Sequence, residues 1–322
     1  MRWSWRRAGL PKSMDIFSAQ TRLYDEARDA SIALGNFDGV HMGHQAVLAA
    51  AKSGAQDRLV AAAVFEPHPR RFFQPDSTPF RLQTSRQRAR ALAACGAEAL
   101  IEITFDTALS QMSDEAFARE MIAERIGAAR VAVGVDFRFG KGRIGDAAAL
   151  AKYGGQYGFE VEIVDAVDDG HHPDKVSSTS IRAALQAGDM DDAARLLGRP
   201  WAIEGIVISG MQRARSIGFA TANVALGDYL RPMFGVYATL TDIGDGVWRA
   251  GVSNCGVKPT VGGVAEPLLE THIFDFDGNL YGKIVETQLV RFIRAERKFD
   301  SFEALTAQIA EDARVARGHL GA

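Results

Sequence analysis

The sequence has few cysteines, no long apolar run and no excess of basic charge. Cys95 and Cys255 lie far apart and form no pair of metal ligands, so we expect a reduced, cytoplasmic protein without disulfides. No run of about 18 apolar residues is present, so we expect no membrane-spanning helix and no membrane partner. The formal net charge is −3, whereas proteins that bind nucleic acid through its phosphates are usually basic. We therefore expect no nucleic-acid partner.

The composition is that of a globular protein. Hydrophobic residues make up 47% and charged residues 24% of the 322 residues, which is enough apolar material for the cores of two domains. Glycine is the one excess, with 32 residues or about a tenth, against a usual share of about 7%. Residues 1–13 are basic but lack the apolar stretch of a secretory signal. We expect a disordered tail there, or a true start at Met14.

The first half of the sequence alternates strand and helix patterns. Strands are predicted from the runs SIALG, LVAAAVFE, ALIEITF, RVAVGVDF and FEVEIVDAV, which begin at Ser31. Helices are predicted from HQAVLAAAKSGA, TSRQRARALAACGA and SDEAFAREMIAERIG, the last with Ser113 as its cap. This alternation predicts a Rossmann-like α/β domain with a parallel sheet, and ligands bind at the carboxyl ends of such strands.

The pattern changes after about Gly188. Short β-patterned runs follow one another (WAIEGIVISG, GVYATLTDI, VWRAGVSNCG, LLETHIFDF and KIVETQLVRFI), and SFEALTAQIAEDARVARGHL closes the chain as a helical pattern. This order predicts an antiparallel sheet or small β-barrel with a C-terminal helix. We therefore predict two domains, residues 14–186 and 187–322, joined by the helical link ALQAGDMDDAARLLGRP.

The strongest local motif is GNFDGVHMGHQ, residues 35–45, between the first predicted strand and the first predicted helix. His41 and His44 are three positions apart at the helix start, where positive partial charge favours phosphate. Two imidazoles there can donate to phosphate oxygens and to charge that develops during phosphoryl transfer. The alternatives are a zinc pair, which would need further ligands, or two ordinary surface histidines.

This motif resembles the His-x-Gly-His motif of the nucleotidyltransferase superfamily, in the form found in bacterial bifunctional riboflavin kinase/FAD synthetases. Three further segments resemble that family in order: FEPHPRRFF (65–73), VGVDFRFGKGRIGD (133–146) and VSSTSIR (176–182). The resemblance implies that the first domain adenylylates FMN to FAD with His41 and His44 as catalytic residues. It assigns nucleotide or phosphate binding to Gly35, Phe37, Asp38, Gly39, Gly43, Ser177, Ser178, Thr179 and Arg182, and flavin binding to His68, Asp136 and Phe137.

Simpler interpretations of these residues stay open. Ser177 and its neighbours can be a plain helix N-cap, although hydroxyls one turn before Arg182 also suit a phosphate clamp. His68 can be a turn residue between prolines, and Asp136 and Phe137 can be ordinary residues at the end of a strand.

In the second half, GMQRARSIGFATANV (210–224) resembles the flavokinase loop, to which the family assigns nucleotide binding at Gly218 and Phe219. Thr221 and Asn223 supply neutral oxygens that suit Mg²⁺ beside nucleotide phosphates. The sequence departs from the family at Ala220, where proline is usual, and at Ala214, where glycine is common. Because alanine does not fix φ, we expect a less pre-organised loop.

The flavokinase pattern continues through NCGVKPTVGG (254–263) and LLETHIFDFDGNLYGK (268–283). Glu270 and His272 alternate with Thr271, so both side chains should lie on one face of a strand. By resemblance Glu270 is the base that takes the proton of the ribityl 5′-hydroxyl of riboflavin, and Asn254 contacts flavin. The alternative is a solvated strand glutamate.

Together these features predict a bifunctional enzyme that uses ATP, riboflavin, FMN and Mg²⁺ and acts as a monomer or weak homo-oligomer. The alternatives are an FAD synthetase with a decayed kinase half, a non-catalytic flavin- or nucleotide-binding regulator, and a different adenylyl- or cytidylyltransferase.

Overall fold

The computed structural model divides the chain into two compact units. It describes residues 14–23, 25–168, 170, 175–208, 221–257 and 266–322. The first unit comprises Met1–Ser77 and Ser85–Val176, and the second comprises Thr78–Thr84 and Ser177–Ala322. The predicted fold class is confirmed, because a parallel α/β sheet precedes an antiparallel barrel and a final helix.

The first unit is built around a parallel sheet. Its strands are β1 (Asp15–Ser18), β2 (Ser31–Leu34), β3 (Val60–Glu66), β4 (Ala99–Thr104), β5 (Arg130–Gly134), β6 (Arg138–Phe139), β7 (Gly145–Asp146) and β8 (Glu160–Val164). Six of them pair in the order β1-β4-β3-β2-β5-β8, and all these pairs are parallel, whereas β6 and β7 form a short antiparallel ribbon. The four-residue strand β1 precedes the first run with a strand pattern, so it was not predicted from the sequence.

Helices cover both faces of this sheet. They are α1 (Met42–Ser53), α2 (Pro69–Phe73), α3 (Ser85–Ala94), α4 (Thr107–Gln111), α5 (Asp114–Ala116) and α6 (Ala147–Tyr157), with π-helical turns over Phe117–Ile126 and 3₁₀ turns at Asp25–Ala27 and Lys141–Arg143. Ile32 and Leu34 lie in one hydrophobic core, and Ala33 between them lies in the other. Alternate residues of β2 therefore pack on opposite faces, which explains its continuous apolar sequence.

The helix predicted over residues 113–127 is divided into two conformations. Ser113 caps it as predicted, because its Oγ accepts a hydrogen bond of 3.1 Å from the Ala116 backbone N–H. From Phe117 the turns widen to π-helical geometry, and the element ends at Gly127, whose φ is 66°. A left-handed φ of this kind is readily adopted by glycine, which explains the end of the helix there.

The second unit contains the barrel. Its strands are β9 (Trp201–Ile208), β10 (Ala222–Ala225), β11 (Gly235–Asp242), β12 (Trp248–Val257), β13 (Pro267–Ile273) and β14 (Ile284–Ala295), and its helices are α7 (Ser178–Ala187), α8 (Met190–Leu197) and α9 (Phe302–Leu320). The strands close in the order β10-β13-β12-β11-β14-β9 with antiparallel pairs. Strand β10 was not predicted, because its residues lie in the segment that resembles the flavokinase loop.

The two faces of the barrel wall differ in chemistry. One face carries buried hydroxyls: Ser253 Oγ lies 2.9 Å from Thr239 Oγ1 and donates to Thr271 Oγ1 at 2.8 Å. On the other face, Val236 and Val252 form a core with Ala316 of α9. Since a helix packs on the outside of a closed barrel, the hydroxyls line the interior and the valines face outward.

Residues 78–84 belong to the second unit, although residues of the first unit flank them in the sequence. Phe80 and Leu82 are buried. The indole N–H of Trp201 donates a hydrogen bond of 2.7 Å to the carbonyl of Leu82. This short segment therefore has a defined place against β9 of the second unit.

No helix in the described ranges is long and apolar enough to cross a membrane.

Candidate active sites

The predicted site residues of the first unit follow the carboxyl ends of its strands. The motif of residues 35–45 follows β2, His68 follows β3, and Asp136 and Phe137 follow β5. Because these strands are parallel neighbours, their carboxyl ends meet at one edge of the sheet. The topology alone thus collects these residues on the edge where such sheets bind ligands.

The loop between β2 and α1 has an unusual backbone. Phe37, Gly39 and Val40 have φ of 52°, 97° and 43°, and a β-branched or bulky residue rarely adopts such values. Phe37 and Asp38 are each about 1% exposed. Two non-glycine residues with left-handed φ in so short a loop, Phe37 and Val40, are the kind of strain that a protein retains at functional positions.

His41 and His44 lie together at the start of α1. His41 is the N-cap residue, and its Nδ1 accepts a hydrogen bond of 3.3 Å from the backbone N–H of His44. The two imidazole rings are stacked, with centroids 3.6 Å apart and planes 21° apart. Since Nδ1 of His41 accepts this hydrogen bond, Nε2 is the nitrogen that carries the proton when the ring is neutral.

Gly43 makes room for this arrangement. A Cβ at this position would lie 3.2 Å from two ring atoms of His41, which is closer than ordinary van der Waals contact. At Gly35 a Cβ would lie 3.4 Å from the ring of Phe37. A Cβ at position 43 would therefore require the His41 ring to shift by a few tenths of an ångström, whereas a Cβ at position 35 would make an ordinary van der Waals contact.

His68 is the N-cap residue of α2, and its Nδ1 accepts a hydrogen bond of 3.1 Å from the Arg70 backbone N–H. The helix that it caps carries Phe72 and Phe73, whose rings lie edge-on to Phe105 with centroid distances of 5.4 and 5.7 Å. Phe73 is 62% exposed. This aromatic cluster was not predicted from the sequence, although two of its three members, Phe72 and Phe73, lie within the run FEPHPRRFF.

Asp136 and Phe137 occupy different environments. Asp136 is exposed and forms an ion pair with Lys175. Phe137 packs against the core, with its ring stacked on Phe139 at a centroid distance of 5.6 Å. Of the two, Asp136 is the more accessible to a ligand.

The SSTSIR residues begin α7 in the second unit. Ser177 is the N-cap residue: its Oγ accepts a hydrogen bond of 3.1 Å from the Ser180 N–H, and Ser180 Oγ accepts one of 3.1 Å from the Ser177 N–H. The guanidinium Nε of Arg182 donates to the Phe80 carbonyl at 2.9 Å. Ser178 is half-buried and Thr179 is exposed. Ser177 thus has a capping function, and the phosphate-binding roles of these residues stay predictions.

In the barrel, three predicted residues lie side by side. Glu270 of β13 is in register with Asn223 of β10 on one side and with Asn254 of β12 on the other. Directly paired residues of antiparallel strands share a face, with Cβ atoms about 4.5–5.5 Å apart. Asn254 also pairs with Val236, so the row lies on the outer face of the barrel.

The surroundings of this row are polar. Asn254 Nδ2 donates a hydrogen bond of 3.2 Å to Glu296 Oε1. Asn223 is 3% exposed, and its side-chain oxygen is buried without a hydrogen-bond partner in the described part of the chain. A buried amide oxygen without a partner is costly, and a cation is one group that satisfies it.

Thr221 is half-buried directly before β10. Gly218, Phe219, Ala220 and Ala214 lie outside the described residues. Within the described ranges, no group of three or more His, Cys, Asp and Glu side chains is placed to hold a metal ion. A zinc site at His41 and His44 therefore has no third ligand of these types there.

Comparisons with known proteins agree with both halves of the chain. The FAD synthetase family model matches residues 24–180, and the riboflavin kinase family model matches residues 197–320. A bifunctional riboflavin kinase/FMN adenylyltransferase of Pseudomonas fluorescens is 40% identical over 94% of this chain and 97% of its own length. The protein of that name from Escherichia coli K12 is 38% identical over 90% and 92%, respectively.

Among solved structures, a protein of Streptococcus pneumoniae described as a macrolide-efflux protein has a TM-score of 0.82 and 29% identity. The match covers 94% of this chain and 99% of that one. Its fold is therefore shared over nearly the whole length. With two family models in sequence and relatives aligned end to end, the chain belongs to the bifunctional riboflavin kinase/FMN adenylyltransferase family.

Proposed function

We propose that the second unit phosphorylates riboflavin to FMN and that the first unit adenylylates FMN to FAD. The observation that carries this assignment is the order of the two family matches, FAD synthetase over residues 24–180 and riboflavin kinase over 197–320. ATP, riboflavin and FMN are the substrates. The domain limits of 14–186 and 187–322 are part of the proposal, as are a cytoplasmic location and a monomeric or weakly associated state.

In the adenylyl transfer, a phosphate oxygen of FMN attacks the α-phosphorus of ATP, and the bond from that phosphorus to the pyrophosphate oxygen breaks. Negative charge grows on the oxygens around phosphorus and on the leaving pyrophosphate. Backbone N–H groups at the start of α1 and the Nε2–H of His41 are donors for this charge. His44, stacked on His41, is the second donor.

The flavin ring of FMN binds, in this proposal, at the aromatic cluster of Phe72, Phe73 and Phe105. The support is the 62% exposure of Phe73 beside the carboxyl end of β3. An exposed ring on a rigid helix stacks well on a planar heteroaromatic ligand. His68 and Asp136 then contact polar groups of the same ligand.

In the kinase reaction, the ribityl 5′-oxygen of riboflavin attacks the γ-phosphorus of ATP, and the bond to the ADP oxygen breaks. Glu270 accepts the hydroxyl proton as the oxygen attacks. Its place between Asn223 and Asn254 on one face supports this role. Asn254 orients the flavin, and the loop with Gly218 and Phe219 binds the nucleotide.

Mg²⁺ fits the residues present at this row. The buried oxygen of Asn223, without a partner in the described ranges, and the hydroxyl of Thr221 are neutral oxygen ligands of the kind that Mg²⁺ accepts. When bound, the ion would neutralise charge on the ATP phosphates. Asn223 and Thr221 would hold it at the barrel wall.

One assay tests the proposal. The purified protein is incubated with riboflavin and MgATP, and FMN and FAD are separated by chromatography over time. We expect FMN first and FAD after it. FAD only from supplied FMN would support the alternative of a decayed kinase, and ligand binding without any product would support the regulator.

A further inference from the structure

A fully buried arginine pairs with Glu66, the strand residue that precedes the proposed flavin-binding segment. Arg88 is on α3, whose inward face is formed by Gln87, Arg88 and Leu92. Its side chain is 0% exposed, and its NH2 nitrogen forms an ion pair of 2.7 Å with Glu66 Oε2. No motif of the sequence analysis includes Arg88, and neither proposed reaction uses it.

Glu66 is the only charge partner of this arginine in the described part of the chain. The Nε and NH1 nitrogens of Arg88 are buried without a hydrogen-bond partner there. A buried guanidinium needs a carboxylate, because the loss of one member of such a pair leaves an uncompensated charge. Arg88 therefore constrains the Glu66 side chain strongly.

Glu66 directly precedes the segment that carries Phe72 and Phe73 of the aromatic cluster. It is the last residue of β3, and its backbone carbonyl accepts a hydrogen bond of 3.0 Å from the Phe105 N–H. Two residues later His68 begins α2, which ends at Phe73. Glu66 thus joins the end of β3 to two features of this surface, to Phe105 through its backbone carbonyl and to α2 through the two residues that follow it.

We propose that Arg88 is a positioning residue for FMN in adenylyl transfer, acting through Glu66 on the segment from His68 to Phe73. This inference rests on the proposed flavin surface at that segment. A side chain that only stabilises the fold would affect both substrates or neither. One that positions the flavin surface affects the KM for FMN and leaves the KM for ATP and the kinase reaction unchanged.

The experiment uses the full-length chain with Arg88→Met and Arg88→Lys. We expect Arg88→Met to raise the KM for FMN at least about tenfold with a change of kcat below about threefold. Arg88→Lys keeps the charge and should recover most of the affinity. A folded Arg88→Met protein with the wild-type KM for FMN overturns the proposal.

A second variant covers the case in which Arg88→Met fails to fold. Glu66→Gln combined with Arg88→Met removes both charges and leaves no buried unpaired ion, so it should fold. The link to α2 is still lost, and the KM for FMN should again rise about tenfold. A wild-type KM in this double variant also overturns the proposal.

The matched control is Arg130→Met. Arg130 is 18% exposed and pairs with Glu160 and Glu162, but it is the first residue of β5 and so lies at the amino end of the same sheet. We expect lower thermal stability and an unchanged KM for FMN. An equal rise in KM for this variant would make the Arg88 effect a general loss of stability and would overturn the proposal.

Phe73→Ala separates this inference from the proposed function. If Phe73→Ala raises the KM for FMN and Arg88→Met does not, the flavin surface stands and the role of Arg88 is wrong. If only Arg88→Met raises it, Arg88 positions FMN through other residues of the segment and the aromatic surface is wrong. If neither does, both are wrong.

Discussion

The imidazole rings of His41 and His44 are stacked 3.6 Å apart at the N-terminus of α1. This contact is possible because His41 caps the helix and Gly43 leaves space beside its ring. The pair lies at the carboxyl edge of the parallel sheet, following β2. It places two ring donors next to the backbone N–H groups of a helix start, which is a suitable environment for a polyphosphate.

The first prediction concerns this pair. His41→Ala or His44→Ala should lower FAD formation from supplied FMN by about 10²–10³-fold, the usual effect of losing one donor to transition-state charge. FMN formation from riboflavin should change little, because the residues proposed for the kinase reaction lie on the barrel. Both rates are measured on each variant by chromatography. Loss of both activities in a folded variant would contradict the proposal that each unit carries one of the two reactions.

The second prediction concerns the base of the kinase reaction. Glu270→Gln nearly preserves the shape of the side chain but cannot accept the hydroxyl proton. FMN production should fall by about 10²–10⁴-fold, the range for a lost general base. FAD production from supplied FMN is the internal control and should persist. An unchanged kinase rate would reduce Glu270 to a structural strand residue.

The third prediction concerns Mg²⁺. Asn223→Ala and Thr221→Ala each remove one proposed ligand oxygen, so the Mg²⁺ concentration for half-maximal FMN formation should rise at least about tenfold. Thr241→Val is a suitable control, because Thr241 is buried and its Oγ1 lies 3.1 Å from Thr287 Oγ1 in the barrel. The control should lose stability without a change in the Mg²⁺ requirement. Equal Mg²⁺ titrations for all three variants and the wild type would exclude these ligands.

The fourth prediction concerns thiol reactivity. Burial raises the pKa of Cys255 to about 12, with a further increase from the charge of Glu296. At pH 8 the thiol is therefore protonated, and it is also 0% exposed. In the native protein Cys255 should not react with a thiol reagent, whereas unfolding with denaturant should make it reactive. Mass spectrometry of the labelled peptides, with Cys95 as the comparison, tests this. Rapid labelling of native Cys255 would contradict its burial.

The local sequence pattern was sufficient for much of the fold. Apolar runs such as LVAAAVFE predicted the strands of a parallel sheet, and the change of pattern after Gly188 predicted the barrel and its final helix. These signals are local, because strand and helix periods are visible within a short window. The short strands β1 and β10 were missed for the same reason, since four residues carry too little periodicity.

Motifs in the sequence also led to most of the candidate site residues. Parallel strands placed the 35–45 motif, His68 and Asp136 at one sheet edge, as the order of strands predicts. The alternation at residues 270–272 placed Glu270 and His272 on one strand face. The alternation of side chains along one strand could not predict that Glu270 pairs with Asn223 and Asn254. The register between strands that are distant in sequence depends on the whole barrel.

Tertiary structure decided the contacts that join residues distant in sequence. Arg88 meets Glu66 because α3 packs against the end of β3, and Phe73 meets Phe105 because β3 and β4 are neighbours. Neither pair has a spacing or motif that a sequence pattern reveals. The sequence by itself determined the alternating longer strands and helices of the first domain, the longer strands of the second, the family motifs and the sheet edge that carries the first site. The Arg88–Glu66 ion pair and the cluster of Phe72, Phe73 and Phe105 form only when packing brings separate elements into contact. Side-chain contacts depend on three-dimensional distance and not on position along the chain.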